Sequence, residues 1–206
     1  MKALEKELLK VVKLPDAVVM IRKGESLANL GGMLCGHTDA LLTINGRKQA
    51  NNLFPALHSS LGSFKSVWSS DLRRSYIFAD IATGFKGPNF VKKDKRLRDI
   101  NFGSDEGKHF DSLSQKEKDA INDINYKAPG GESWADVRER VQAWRREQGE
   151  GPLLVLGHGG VICCLTHPLG LQDMITCGSA VGLKMGADGI AKEILFQWEF
   201  PLESIM

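Results

Sequence analysis

The side chains best suited to holding a phosphoryl group in this 206-residue sequence follow short, strand-like runs. Arg22, Lys23 and Asn29 come after the apolar run 17–21, Ser70 and Arg74 after the run 66–69, and His158 with Gly159-Gly160 after the run 153–156. In open α/β sheets ligands collect at the carboxyl ends of strands. Two arginines, a histidine, an asparagine and glycine turns at helix starts suit a tetrahedral dianion. Guanidinium forks match its oxygens, and helix N-termini present outward-pointing N–H groups.

The elements that must position these groups can be read from periodicity. The runs 17–21 and 153–156 are short and fully apolar, as expected of buried parallel strands, and 66–69 reads as a third. Helices are expected from Thr43, as N-cap, to about residue 59, over 72–83, over 112–124, and from a Ser133 cap to about residue 148. The segments 179–185 and 191–198 flank Gly186-Ala187-Asp188-Gly189, a hairpin turn. This alternation predicts an α/β fold, a three-layer α/β/α sandwich around a mostly parallel sheet. The stretch 85–129, rich in Lys, Asp, Asn and Gly, is expected to form excursions over the active face.

Length and composition limit the alternatives. The chain suits one domain, residues 15–206, preceded by an amphipathic helical extension over 1–14, where Leu4, Leu8, Val11 and Val12 recur at helical spacing. That helix is expected to dock on its own domain, with a protein partner as the second possibility. Twenty-seven basic against 25 acidic residues, a net charge of +2, argue against a general nucleic-acid binder. The basic cluster from Lys92 to Arg98 reads as a solvated surface strand. Cys35, Cys163, Cys164 and Cys177 lack C-x-x-C spacing and are expected to be reduced, mostly buried thiols. His37 and His109 have no second ligand at helical or hairpin spacing, so neither a metal nor a cofactor is expected. No apolar run approaches the ~20 residues of a membrane span. The chain is expected to be soluble and intracellular, cytoplasmic by default, with a mitochondrial location left open.

The motifs together resemble the histidine phosphatase superfamily, the phosphoglycerate-mutase-like fold. The resemblance runs through Arg22-Lys23-Gly24-Glu25-Ser26 with Asn29, Gly36-His37-Thr38-Asp39, Thr43-x-x-Gly46-x-x-Gln49-Ala50 and Ser69-Ser70-Asp71-Leu72-Arg73-Arg74. It continues through Leu97-Arg98-Asp99, Phe102-Gly103 with Glu106-Gly107, Pro129-Gly130-Gly131-Glu132-Ser133 and Gly157-His158-Gly159-Gly160. It implies a phosphoenzyme mechanism in which the histidine of an Arg-His-Gly motif attacks phosphorus. Carried over by position, Arg22, Asn29, Arg74 and His158 would bind the phosphoryl oxygens, and Asp99, one methylene shorter than the common Glu, would be the acid. Asp105 and His37 stand where tryptophans are common.

The nucleophile position carries Lys23. A lysine of pKa ~10.4 is neutral in only about one molecule in two thousand at pH 7, and half-neutrality would require a fall of roughly 3.4, about 4.6 kcal/mol. Arg22 and Arg74 push that way, while a bound dianion pushes back. The resemblance with this departure implies a catalytically impaired protein that keeps a phosphate pocket. It would serve as a scaffold, a binder of phosphate or a phosphorylated small molecule, or a subunit of an assembly, with Lys23 a phosphate ligand or an ion-pair partner of Asp99 or Glu132. The alternative is an active phosphomonoesterase working through a phosphoenzyme.

Overall fold

The computed structural model describes residues 1–124, 126–171 and 173–205. Along the chain come α1 (Lys2–Val11), β1 (Ala17–Arg22), α2 (Leu27–Leu30), α3 (Ile44–His58), β2 (Ser66–Ser69), α4 (Arg73–Ala82) and β3 (Val91–Lys93). They continue with α5 (Gln115–Asn122), α6 (Trp134–Arg146), β4 (Leu153–Gly157), α7 (Gly159–Thr166), β5 (Ala180–Met185) and β6 (Ala191–Trp198). The sheet order is β3-β2-β4-β1-β5-β6. β3, β2, β4 and β1 run parallel, whereas β5 and β6 are antiparallel additions beyond β1.

Alternation along the central strands feeds two cores, since successive side chains of a strand point to opposite faces. Val19 and Ile21 of β1 join Leu154 and Leu156 of β4 beneath α1, α3 and α4. Val18 and Met20 join Leu153 and Val155 beneath α6 and α7. The three-layer α/β sandwich around a mostly parallel sheet is therefore the observed architecture. Leu4, Leu8 and Val11 of α1 are buried in the first core, so this helix packs on the body of the fold.

Three local expectations need correction. The third predicted helix shortens to α5, because Ser114 caps it with a reciprocal Glu117 contact, and residues Phe110–Ser112 make a separate 3₁₀ turn. The 85–129 stretch contributes a sheet strand, β3, which pairs in parallel with β2 and begins the basic cluster; the chain then turns 3₁₀ at Lys95–Leu97. Of the four cysteines only Cys164 is buried; Cys35, Cys163 and Cys177 are partly exposed. Among the described residues no helix is long and apolar enough to cross a membrane.

Candidate phosphate site

Register brings the polar groups together. Ile21 and Ser69 both align with Leu156, so the residues that follow β1, β2 and β4 emerge at one level of the sheet. Arg22, Lys23, Ser70 and His158 lie there, and α4 adds Arg74 from its first turn. The tight Arg22–Ser26 turn rests on α3. A Cβ on Gly24 would lie 2.5 Å from the Gly46 carbonyl oxygen, and one on Gly46 would lie 2.1 Å from that of Glu25. Both positions therefore require glycine.

Lys23 is 4% exposed. Its Nζ donates to the Gly24 carbonyl at 3.2 Å, to Ser26 Oγ at 3.1 Å and to Asn29 Oδ1. The Ser26 hydroxyl in turn donates to Asn29 Oδ1 at 2.9 Å, so it meets Lys23 as an acceptor. Three acceptors around one amine fit an ammonium. Burial pulls the Lys23 pKa down to about 8, with Arg22 and Arg74 assisting and Cys177 and Asp99 opposing. A pKa near 8 leaves about one molecule in ten neutral at pH 7, far more than for a free lysine. The expected ion pair with Asp99 or Glu132 does not form. Glu132 instead pairs with Arg140 at 2.8 Å and accepts from the Asn101 N–H at 3.0 Å.

Asn29 serves its own turn: its side chain accepts from the Ser26 N–H at 3.1 Å, closing the capping box of α2. Arg74, 1% exposed, donates to the carbonyls of Cys35 (3.2 Å), Gly36 (2.6 Å) and Thr38 (2.7 Å) and lies 3.5 Å from Asp39. Arg22 donates through Nη1 to the Ile175 carbonyl at 2.5 Å. Its Nε is buried without a partner, and so is His158 Nδ1.

His158 is fully buried, and its Nε2 lies 2.7 Å from Ser70 Oγ. Burial, and then the positive field of Arg74 and Lys23, hold its pKa well below the usual imidazole value, so the ring is neutral. The tautomer in which Ser70 donates to Nε2 carries its ring proton on Nδ1, 3.7 Å from Asp99 Oδ2. Asp99 has its pKa raised by burial, partly offset by Arg74 and by the Ile100 N–H. No side chain caps α7, whose N-terminus opens beside His158. Gly159 and Gly160 leave the room this requires: a Cβ on the first would lie 2.9 Å from Arg22 Nε, and one on the second 2.4 Å from Asp99 Oδ1.

The structure thus gathers Arg22, Lys23, Arg74, Asp99 and His158, while Asn29 reaches the cluster through Lys23. Three supporting residues had no role assigned from sequence. Glu106 accepts from the backbone N–H groups of Gly36, His37, Thr38 and Phe102 at 2.8–3.2 Å, and so sets the loop whose carbonyls hold Arg74. Asp39 accepts from the Arg73 and Arg74 N–H groups at 2.7 and 3.3 Å and caps α4 from a distance. Arg140 clamps the acid segment by donating to the carbonyls of Arg96 (2.5 Å) and Asp99 (2.8 Å). Glu106 and Asp39 lie inside the quoted motifs, which was the available signal. Among the described residues no group of three or more His, Cys, Asp or Glu side chains is arranged to hold a metal.

Comparison with known proteins identifies the family to which this fold belongs. The model of the family described as "Histidine phosphatase superfamily (branch 1)" matches residues 18–174. A protein of Hydrogenobacter thermophilus, provisionally named phosphoserine phosphatase 2, is 30% identical over 166 residues, 75% of this chain and 80% of that one. "Probable phosphoglycerate mutase GpmB" of Escherichia coli is 32% identical over 162 residues, 74% of each chain. The crystal structure of a phosphoglycerate mutase from Thermus thermophilus superposes with a TM-score of 0.76 at 31% identity, covering 90% of this chain and 99% of the other.

Proposed function

From the premise that the chain belongs to the histidine phosphatase superfamily, we propose that it binds a phosphorylated ligand without passing through a phosphoenzyme. The observation that carries this is the capture of the Lys23 ammonium by Gly24, Ser26 and Asn29. An amine that donates in three directions has no lone pair left to attack phosphorus. Burial brings its pKa close to neutrality, but an arriving phosphate dianion raises it again, because an opposite charge favours the charged form. Lys23 then stands where the family's nucleophile is expected and contributes positive charge.

Binding is supported by the donors that remain. Arg22 Nε and His158 Nδ1 are buried without partners, the α7 N-terminus lacks a side-chain cap, and Arg22, Lys23 and Arg74 outnumber Asp99 in charge. A dianion relieves all three conditions together. A protein of this kind acts as a phospholigand sensor, a scaffold or a subunit of a larger assembly. Any partner reached through α1 would meet its polar side, since Leu4 and Leu8 are already buried.

The alternative, an active phosphomonoesterase, draws support from Asp99, whose raised pKa suits a proton donor. Calorimetric titration with inorganic phosphate, run beside hydrolysis of 4-nitrophenyl phosphate, separates the two. Saturable binding without turnover supports the proposal. Turnover above background that Lys23→Ala abolishes would overturn it.

A further inference from the structure

A cleft of about 490 Å³ opens between α6 and α7, with Trp134, Cys163, Met174 and Ile124 forming its apolar wall and Arg138 and Asp173 its main charges. It adjoins the phosphate site through the first turn of α7. The place a Gly159 side chain would take is bordered by Met174 Sδ at 2.8 Å and Arg22 Nε at 2.9 Å. The place a Gly160 side chain would take is bordered by the Trp134 ring at 2.8 Å and Asp99 Oδ1 at 2.4 Å. Both glycines thus separate a cleft residue from a charged residue of the site by little more than one methyl group.

We infer that the cleft receives the organic part of the phosphorylated ligand, and that this part is aromatic or otherwise apolar and uncharged; the inference rests on the phosphate-site reading above. The wall offers an indole, a thioether, a thiol and an aliphatic chain, a surface that favours flat, polarisable groups. Trp134 is fixed for this role by its indole N–H, which donates to the Ile121 carbonyl at 2.7 Å. Met174 is 49% exposed, an apolar surface that a ligand would cover. Arg138 and Asp173 are of opposite sign and the remaining polar lining is the His167 imidazole, so the cleft has no fixed surplus of positive charge with which to hold a carboxylate. Arg138 Nε is also engaged with the Cys164 carbonyl at 3.1 Å. A phosphorylated glycerate or serine, whose organic part carries a carboxylate, therefore fits this cleft poorly.

The test is calorimetric titration of the whole protein with inorganic phosphate, glycerol 2-phosphate, 3-phosphoglycerate and 1-naphthyl phosphate. The naphthyl ester is expected to bind about tenfold or more tightly than the two aliphatic esters, the gain that partial burial of one ring provides. Trp134→Ala should erase that advantage and leave inorganic phosphate affinity unchanged. Met174→Ala, which removes the thioether from the wall and brings no charge near Arg22, should weaken that advantage as well and also leave inorganic phosphate affinity unchanged. Equal affinities for the naphthyl and aliphatic esters, or a naphthyl preference that survives Trp134→Ala, would overturn the inference while leaving the phosphate site standing. Absence of binding by every probe, inorganic phosphate included, would defeat the phosphate site and this inference with it.

Discussion

Lys23 sits at a buried strand end with its charge partly suppressed, and that has a consequence for stability. Its folded pKa of about 8 lies below the unfolded value of 10.5, so between those limits the unfolded chain binds more protons. Stability linked to this group therefore rises as pH increases from about 8 to 10.5, by an amount on the order of 3 kcal/mol. Denaturant unfolding of wild type and Lys23→Met at pH 7 and pH 10 should show the rise only in wild type. Parallel behaviour of the two proteins would mean that Lys23 is not desolvated as described. The residue types at the site were legible in the sequence, because the strand-end motifs recur in order. Their rotamers were not. That Asn29 would turn its oxygen onto Lys23, or that Arg74 would face three carbonyls, depends on which acceptors the finished fold places within reach.

At the scale of elements, the site is built from turns held by remote side chains. Glu106 shows this most clearly. Burial alone would raise its pKa, but donation from the His37, Phe102 and Thr38 N–H groups outweighs burial and holds it low. Glu106→Ala would leave four backbone N–H groups without their acceptor and should cost about 3 kcal/mol or more in denaturant unfolding. Phosphate affinity should fall with it, because the loop carbonyls that aim Arg74 would shift. Asp39→Ala should cost about 1 kcal/mol through the α4 cap. Helices that carry their own start signals, Thr43 before α3 and Ser133 before α6, were readable in advance. β3 was readable only in part: a surface strand was expected over the basic cluster, but it stops at Lys93, and three residues with two exposed lysines join the sheet only by pairing with β2.

For the whole molecule, the two cores divide the work. The one beneath α6 and α7 supports the cleft, and the other joins α1, α3 and α4 to the sheet. The amphipathic spacing over residues 1–14 announced a helix, yet it could not say whether the apolar stripe met this fold or another protein. Leu4 and Leu8, both at 0% exposure, show that it meets this fold. Leu8→Ala should therefore destabilise the protein by about 2–5 kcal/mol in denaturant unfolding. A change below about 0.5 kcal/mol would show that α1 is dispensable.

The central proposal concerns chemistry at one position and is best tested by placing an imidazole there. Hydrolysis of 4-nitrophenyl phosphate by wild type and Lys23→His should be measured side by side at pH 7, with phosphate affinity as the control for folding. An imidazole that is largely neutral at this pH can attack phosphorus while Asp99 protonates the leaving oxygen. The account predicts background rates for wild type and a gain of at least about tenfold for Lys23→His at similar phosphate affinity. Turnover by wild type that Lys23→His does not exceed would contradict it.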